Sequence, residues 1–170
     1  MLRWQRDGQR LLRPHEYPRC AVAVVGNHDL ATLRAWWEGA DLTLEHEHGT
    51  LPEPELSAAR QARAAERHML LEVLHHEGLL AGGAADLGYD VLFNAVHEFL
   101  GRTRALLVLT QLDDVLRELT PVNMPSTQRY PNWRRRYSVP VEGLGDQPLL
   151  GAVAAALRAQ RGLAPVHPAA

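Results

Sequence analysis

Hydrophobic and polar positions along the chain predict short buried strands separated by amphipathic helices. The run CAVAVVG, from Cys20 to Gly26, is short, apolar and closed by glycine, which is typical of a strand buried on both faces. The run ALLVLT, from Ala105 to Thr110, has the same character and predicts a second strand. Because helical patterns follow both runs, the sequence predicts βα units of a parallel α/β fold.

Five segments carry apolar side chains at helical spacing: 30–38, 56–77, 91–100, 111–119 and 149–160. The longest of them presents one apolar face and stops at Gly78. Asp29 is well placed to cap the first helix, and Gly101 is expected to end the third. These helices alternate with the two strands and follow them along the chain.

Two stretches between the helices lack this periodicity. The first, from Glu45 to Pro54, is polar and is expected to be a link. The second, from Thr120 to Pro140, is rich in proline and aromatic residues; loops of this length are usually functional or disordered, and the aromatic residues argue against disorder. We therefore expect a single segment with four parts: an initial stretch (1–19), βα units (20–119), a substrate-site loop (120–147), and a terminal helix and tail (148–170).

Composition narrows the class of protein. The 170 residues are 46% hydrophobic and 22% charged with a net charge of −2, which is typical of a soluble globular domain. No apolar run approaches the roughly 20 residues of a membrane span, and no signal peptide is visible, so we expect a cytoplasmic protein. The single cysteine, Cys20, excludes an internal disulfide and is expected in the core. The basic run Arg134 to Arg136 is too short to predict a nucleic-acid partner.

Three polar residues, Asn27, His28 and Asp29, come directly after the first predicted strand. The ends of parallel strands commonly face the ligand, because loops converge there while the sheet holds them rigid. A His-Asp pair at this point is therefore a candidate site. Taken alone, such a pair is more simply explained as a helix cap beside a surface histidine.

The surrounding sequence changes this interpretation. The run NHDLATLRAWWEGADL, from Asn27 to Leu42, closely resembles the His-Asp segment of amylomaltases, the 4-α-glucanotransferases of glycoside hydrolase family 77. A second run, from Asn123 to Arg136, resembles the family's Asn-Leu/Met-Pro-Gly-Thr motif and its Tyr-Pro-Asn-Trp-Arg continuation. Gln111 to Asp114 is similar to the family's Gln-Leu-Glu-Asp, and the likeness keeps its order from about Leu2 to about Val141.

The chain departs from the family pattern at two positions. Asn27 stands where the family usually has threonine, and Ser126 replaces the glycine that follows Asn-x-Pro. The loss of that glycine is expected to restrict the backbone of the turn. Neither difference overturns the resemblance.

The resemblance implies the carboxy-terminal portion of a (β/α)8 TIM barrel, with about two βα units and a terminal helix. It also implies a cofactor-free transferase, without a metal site, that moves segments of maltooligosaccharides or other α-1,4-glucans by a retaining mechanism. In the family, an aspartate that stabilises the transition state corresponds to Asp29. Sugar-binding residues correspond to His28 and, more weakly, to Asn123.

Two catalytic residues of the family have no counterpart in the chain. The nucleophilic aspartate and the acid/base glutamate lie on earlier barrel strands, whereas 27 residues precede His28. Ala85 to Gly88 is superficially similar to the Glu-Asp-Leu-Gly segment around the acid/base, but it follows Asp29 and lacks the glutamate, so a loop is expected there. We expect the chain alone to be inactive and the amino-terminal part of the barrel to be its partner.

Two other classes of protein stay open at this point. Gly26 to Asp29 also resembles a metallophosphoesterase block, although the upstream Asp-x-His and Gly-Asp motifs of that class are missing. The runs 46–48 and 75–77 contain histidine and glutamate but are expected to be solvated surface. A non-catalytic glucan-binding piece is the second alternative, because four aromatic residues offer flat faces for sugars: Trp36, Trp37, Tyr130 and Trp133.

Overall fold

The computed structural model describes residues 5–8, 10–81, 87–125 and 127–162. The strands in these ranges are β1 (Arg6–Asp7), β2 (Arg10–Leu11), β3 (Val22–Val24) and β4 (Leu107–Leu109). The α-helices are α1 (Leu33–Glu38), α2 (Ala40–Glu47), α3 (Glu53–His76), α4 (Tyr89–Arg102), α5 (Leu112–Val115) and α6 (Pro148–Arg161). None of these helices is both long and apolar enough to span a membrane.

The two apolar runs pair in parallel, as their sequence predicts. Ala23 on β3 lies opposite Val108 on β4. The expectation that both faces are buried is wrong, because Val22 is 46% exposed and Leu107 is 58% exposed. Successive strand residues point to opposite faces, and in the described residues the helices cover one face, where Ala23 is buried. The sheet therefore has one apolar face uncovered.

The core is centred on α4. Its largest side chains, including Phe93 and Phe99, are completely buried, and α6 packs along the same helix. The helix does not stop at Gly101 as expected but continues to Arg102. A Cβ atom at Gly101 would lie 3.0 Å from Cβ of Gln160 on α6. The glycine thus permits the close approach of two helices and does not terminate one of them.

Helix α1 begins later than expected and has a different cap. The hydroxyl of Thr32, not the carboxylate of Asp29, accepts a hydrogen bond from the backbone N–H of Ala35 at 3.1 Å. Gly39 ends the helix in the left-handed region, with φ of +81°. Asp29 is consequently outside the helix and available for other contacts.

Part of the expected polar link is helical. Helix α2 follows Gly39 directly and covers the first three residues, 45–47, of the 45–54 link. Its Asp41 is 5% exposed and receives two hydrogen bonds of 2.7 Å from the guanidinium of Arg63. The sequence pattern did not predict this helix, because its packing depends on a partner that is distant in sequence. A buried carboxylate such as that of Asp41 is tolerated only when a cation such as Arg63 pairs with it.

Three smaller expectations have different outcomes. Helix α5 ends well before Leu119, since Arg117 adopts a left-handed backbone with φ of +59°. Cys20 is exposed and does not belong to the core. Helices α3 and α6 match their predicted positions to within three residues.

A neutral histidine is buried in the middle of α4. The Nδ1 of His97 lies 2.8 Å from the carbonyl oxygen of Phe93, and its ring centroid lies 4.1 Å from that of Phe93. Its Nε2 has no hydrogen-bond partner among the described residues. Burial lowers the pKa of His97 from 6.5 to about 4.

This depressed pKa predicts a loss of stability in mild acid. As the pH falls below 6.5, the unfolded chain binds a proton at His97 before the folded chain does. Compared with a His97→Leu variant, the wild-type chain should lose roughly 3 kcal/mol of unfolding free energy between about pH 7 and about pH 4. Urea unfolding measured across this range tests the difference.

The matched control is His68→Gln, since the side chain of His68 is 74% exposed. This variant should keep the pH dependence of the wild type. Equal pH dependence in wild type and His97→Leu would contradict the assignment.

Candidate active site

The two segments singled out in the sequence meet at one hydrogen bond. The side-chain amide of Asn123 donates to Oδ1 of Asp29 at 2.6 Å, across 94 positions of the chain. Asp29 lies in the segment that follows β3, and Asn123 lies in the loop that follows β4 and α5. The structure therefore brings together two of the three predicted site residues by direct contact.

A local turn presents Asp29. The side-chain oxygen of Asn27 accepts the backbone N–H of Asp29 at 3.0 Å, and the backbone N–H of Leu30 donates to the carbonyl of Asn27. Asparagine is suited to this turn because its side chain can mimic a backbone acceptor. Asp29 remains 44% exposed at its side chain, so its carboxylate is accessible.

His28 lies beside the same carboxylate. Its Nε2 is 3.3 Å from Oδ2 of Asp29, and its side chain is 55% exposed. The imidazole centroid lies 5.3 Å from the ring of Trp133, with the two planes inclined at 49°. All three predicted site residues thus form one cluster, and Trp133 joins it.

Side-chain bonds to the backbone hold the loop that carries Asn123. The Oδ1 of Asn132 accepts the N–H of Met124 at 2.7 Å, and its amide donates to the carbonyl of Thr127 at 3.0 Å. The hydroxyl of Tyr130 donates to the carbonyl of Pro121 at 2.5 Å. The described part of segment 120–140 contains neither helix nor strand, yet these bonds fix its course.

Arg135 fastens this loop to α5. Its guanidinium donates to Asp113 and lies 3.5 Å from the carboxylate of Glu118. The hydroxyl of Tyr137 reaches the same Asp113, and the side chain of Arg135 is 13% exposed. Burial lowers the pKa of Arg135. The resemblance placed Arg135 and Asp113 in family motifs but did not reveal that they pair.

The neighbouring Asp114 supports the other half of the site. It is fully buried, and its Oδ1 accepts the backbone N–H of Leu33, the first residue of α1, at 2.7 Å. The hydroxyl of Thr32 donates to the carbonyl of Glu118 at 2.6 Å. Sequence reasoning missed this role; the available signal was a pair of acidic residues directly after an apolar strand.

Two depressions flank the Asp29–Asn123 contact. One, of about 250 Å³, lies between this contact and α2 and includes Glu45 in its lining. The other, of about 490 Å³, lies within the loop and includes Trp133. Asn123 lines both depressions, whereas Asp29 lines the first.

Most of the aromatic faces proposed for sugar stacking are not accessible. Trp36 is 2% exposed, Trp37 is 7% exposed and Tyr130 is 8% exposed. Their rings pack inside the protein or against the loop. Trp133 differs from them, because it is 63% exposed.

The possible metal ligands are engaged elsewhere. In the described ranges, no three histidine, cysteine, aspartate or glutamate side chains lie close enough together to hold a metal ion. His46 is on α2, not in a link, and its Nε2 lies 3.0 Å from Glu53. His76, at the end of α3, faces Arg13. Of the segment that resembles the acid/base region, residues 85 and 86 lie outside the described residues, as does Ser126.

The fold and the clustered motif segments indicate part of an α/β protein of the amylomaltase type. The crystal structure of the amylomaltase from Corynebacterium glutamicum superposes with a TM-score of 0.82, covering 92% of this chain and 24% of that chain. At 24% identity this likeness shows the fold alone. The family model for 4-alpha-glucanotransferase matches residues 1–141. The chain therefore belongs to glycoside hydrolase family 77, the 4-alpha-glucanotransferases.

Curated relatives agree with this family. The 4-alpha-glucanotransferase of Haemophilus influenzae is 32% identical over 143 residues, which cover 81% of this chain and 20% of the relative. That of Mycobacterium bovis is 35% identical over 133 residues, covering 76% of this chain and 17% of the relative. The chain thus spans about a fifth of the length of the relatives it matches.

Replacement of Arg135 by methionine should destabilise the site loop. The variant leaves the carboxylates of Asp113 and Glu118 without the cation that pairs with them. We expect the unfolding free energy to fall by about 2 kcal/mol, since the partners are largely desolvated. Urea denaturation of the purified chain measures this change.

The neighbouring Arg136 provides the control, because its side chain is exposed. Arg136→Met should alter the unfolding free energy by less than about 0.5 kcal/mol. Similar losses in both variants would show that the ion pairs of Arg135 are not what anchors the loop.

Proposed function

We propose that this chain forms one wall of the active site of a 4-α-glucanotransferase, in which Asp29 stabilises the transition state of glucan transfer. The observation that carries the proposal is the hydrogen bond between Asp29 and Asn123. It joins two segments that both resemble motifs of the family. The substrates are maltooligosaccharides or other α-1,4-glucans.

The chemistry of retaining transfer calls for a carboxylate of this kind. The reaction passes through oxocarbenium-like transition states, and hydrogen bonds to sugar hydroxyls that strengthen there raise the rate. An ionised carboxylate offers about four lone-pair sites on its two oxygens. The contacts with Asn123 and His28 occupy part of that capacity, and the accessible remainder of Asp29 is free to accept sugar hydroxyls.

His28 and Asn123 are the other two polar residues of the proposed site beside Asp29. Asn123 orients the carboxylate with its amide nitrogen, while its carbonyl oxygen accepts a sugar hydroxyl. His28 lies against Trp133 and contacts the same carboxylate, so its ring is fixed next to the bound sugar. Pre-oriented groups of this kind cost no reorganisation during the reaction.

The remaining catalytic groups come from outside this chain in our proposal. The chain is the carboxy-terminal portion of a (β/α)8 barrel, and other strands of that barrel carry the nucleophilic aspartate and the acid/base glutamate. The uncovered apolar side chains of β3 and β4 support this, because neighbouring barrel elements would cover them. The share of the relatives that the chain spans, about a fifth, supports it further.

A fusion enzyme tests the role of Asp29. This chain replaces the corresponding part of the Haemophilus influenzae relative, and glucose release from maltotriose is measured. Asp29→Asn should lower kcat at least about 100-fold, because a neutral amide stabilises developing positive charge poorly and cannot accept in the same way. Circular dichroism should show an unchanged fold.

Two controls accompany this measurement. Asp7→Asn removes an exposed carboxylate remote in sequence from the site and should keep the activity of the fusion. The isolated chain serves as a blank and should release no glucose. Near-normal turnover by Asp29→Asn would refute the assigned role, and glucose release by the isolated chain would refute the external origin of the other carboxylates.

A further inference from the structure

The turn that joins α2 to α3 has a fixed course, although its sequence predicts only a polar link. Residues 48–51 fold back onto the end of α2, where the backbone N–H of Thr50 donates to the carbonyl of Glu45 at 2.9 Å. Gly49 permits this reversal, because its backbone lies in the left-handed region with φ of +75°. The turn is therefore a folded element with defined neighbours.

This turn lies against the loop that carries Asn123. The ring centroid of His48 lies 5.3 Å from that of Tyr130, and the two planes are perpendicular, which is a favoured edge-to-face geometry. A Cβ atom at Gly49 would lie 2.8 Å from Nη1 of Arg129, so the guanidinium covers the glycine. Two consecutive residues of the turn thus contact two consecutive residues of the loop.

From Tyr130 the contact continues to Asn123 through the backbone. The ring of Tyr130 is buried, and its hydroxyl donates to the carbonyl of Pro121 at 2.5 Å. Pro121 precedes Asn123 by two residues, and its own ring restricts the backbone there. Asn123 in turn donates to Oδ1 of Asp29 at 2.6 Å. A continuous series of contacts and peptide bonds therefore leads from the turn to the carboxylate.

The turn and the loop also border the same depression. The depression of about 250 Å³ beside Asp29 includes Thr50 of the turn and Asn123 of the loop in its lining. His48 does not belong to this lining. Any action of His48 on the carboxylate consequently passes through the loop and not through direct contact.

We propose that His48 is a positioning residue for glucan transfer, which acts through Tyr130 to hold Asn123 against Asp29. The edge of the imidazole keeps the phenol ring in place, and the phenol hydroxyl fixes the backbone that leads to Asn123. Placement matters because a displacement of about 1 Å at a reacting site can lower the rate about 100-fold. This inference rests on the proposed function, since it assumes that Asp29 acts on the sugar.

Kinetics of the fusion enzyme test the role of His48. His48→Ala should lower kcat about tenfold and change the KM for maltotriose by less than about twofold, because the group it positions acts chiefly in the transition state. His48→Phe keeps an aromatic edge on Tyr130 and should recover at least about half of the wild-type kcat. The matched control is His68→Ala, which removes an exposed histidine of α3 and should leave turnover unchanged.

Removal of Asn123 distinguishes positioning from a merely structural role. If His48 acts through Asn123, then His48→Ala should lower kcat less than about twofold in an Asn123→Ala background, against about tenfold in the wild-type background. A structural role predicts equal losses in the two backgrounds. Equal losses, or an unchanged kcat for His48→Ala, would overturn the proposal.

A measurement without turnover separates this inference from the proposed function. In the 170-residue chain, the exchange of the Asn123 side-chain amide protons with solvent is followed by NMR. His48→Ala should accelerate this exchange at least about fivefold, because the hydrogen bond to Asp29 opens more often, whereas His68→Ala should not.

The two proposals then fail in different ways. If Asp29→Asn abolishes turnover while His48→Ala changes neither kcat nor the exchange at Asn123, the positioning role fails alone. If Asp29→Asn stays active while the exchange at Asn123 depends on His48, the proposed function fails and the contact between the turn and the loop stands.

Discussion

The parallel pairing of β3 with β4 is the constraint on which the site depends. Because the strands run side by side in the same direction, their carboxyl ends deliver Asn27 to Asp29 and Gln111 to Asp114 to one edge of the sheet. Gly26 permits the close approach, since a Cβ atom there would lie 3.1 Å from the side-chain oxygen of Gln111. Once the two strand ends are adjacent, Asp114 can bind the start of α1 and Arg135 can bind α5.

The polar contacts beyond the strands divide between support and chemistry. Arg135 and Asp114 are largely or fully buried and hold loop 120–140 and helix α1 in place. Asp29 and His28 are exposed and engaged by few partners. This division is what a binding site requires, because accessible groups act precisely only when buried neighbours fix them. The same loop that carries Asn123 also presents Trp133, so anchoring the loop determines both flanks of the Asp29 contact.

The sequence predicted the parts of the fold that depend on local pattern. The long helix α3, the buried α4 and the parallel strands follow from apolar periodicity, and the resemblance to the family predicted which residues cluster around Asp29. The missed features are those that depend on distant partners: α2 with its buried Asp41 and Arg63, the cap at Thr32, and the role of Gly101 in helix packing. Exposure of β3 and β4 was also missed, because an apolar run does not reveal whether neighbours are present to cover it.

The central claim is that Asn123 holds the Asp29 carboxylate for action on the sugar, and a double-mutant cycle tests it most directly. The kcat/KM for maltotriose would be measured in the fusion enzyme for Asp29→Ala, Asn123→Ala and the double variant. If the two residues act as a unit, the combined loss is smaller than the product of the single losses, with a coupling energy of at least about 1 kcal/mol. Losses that multiply, with coupling below about 0.3 kcal/mol, would show that the residues act independently and would contradict the account.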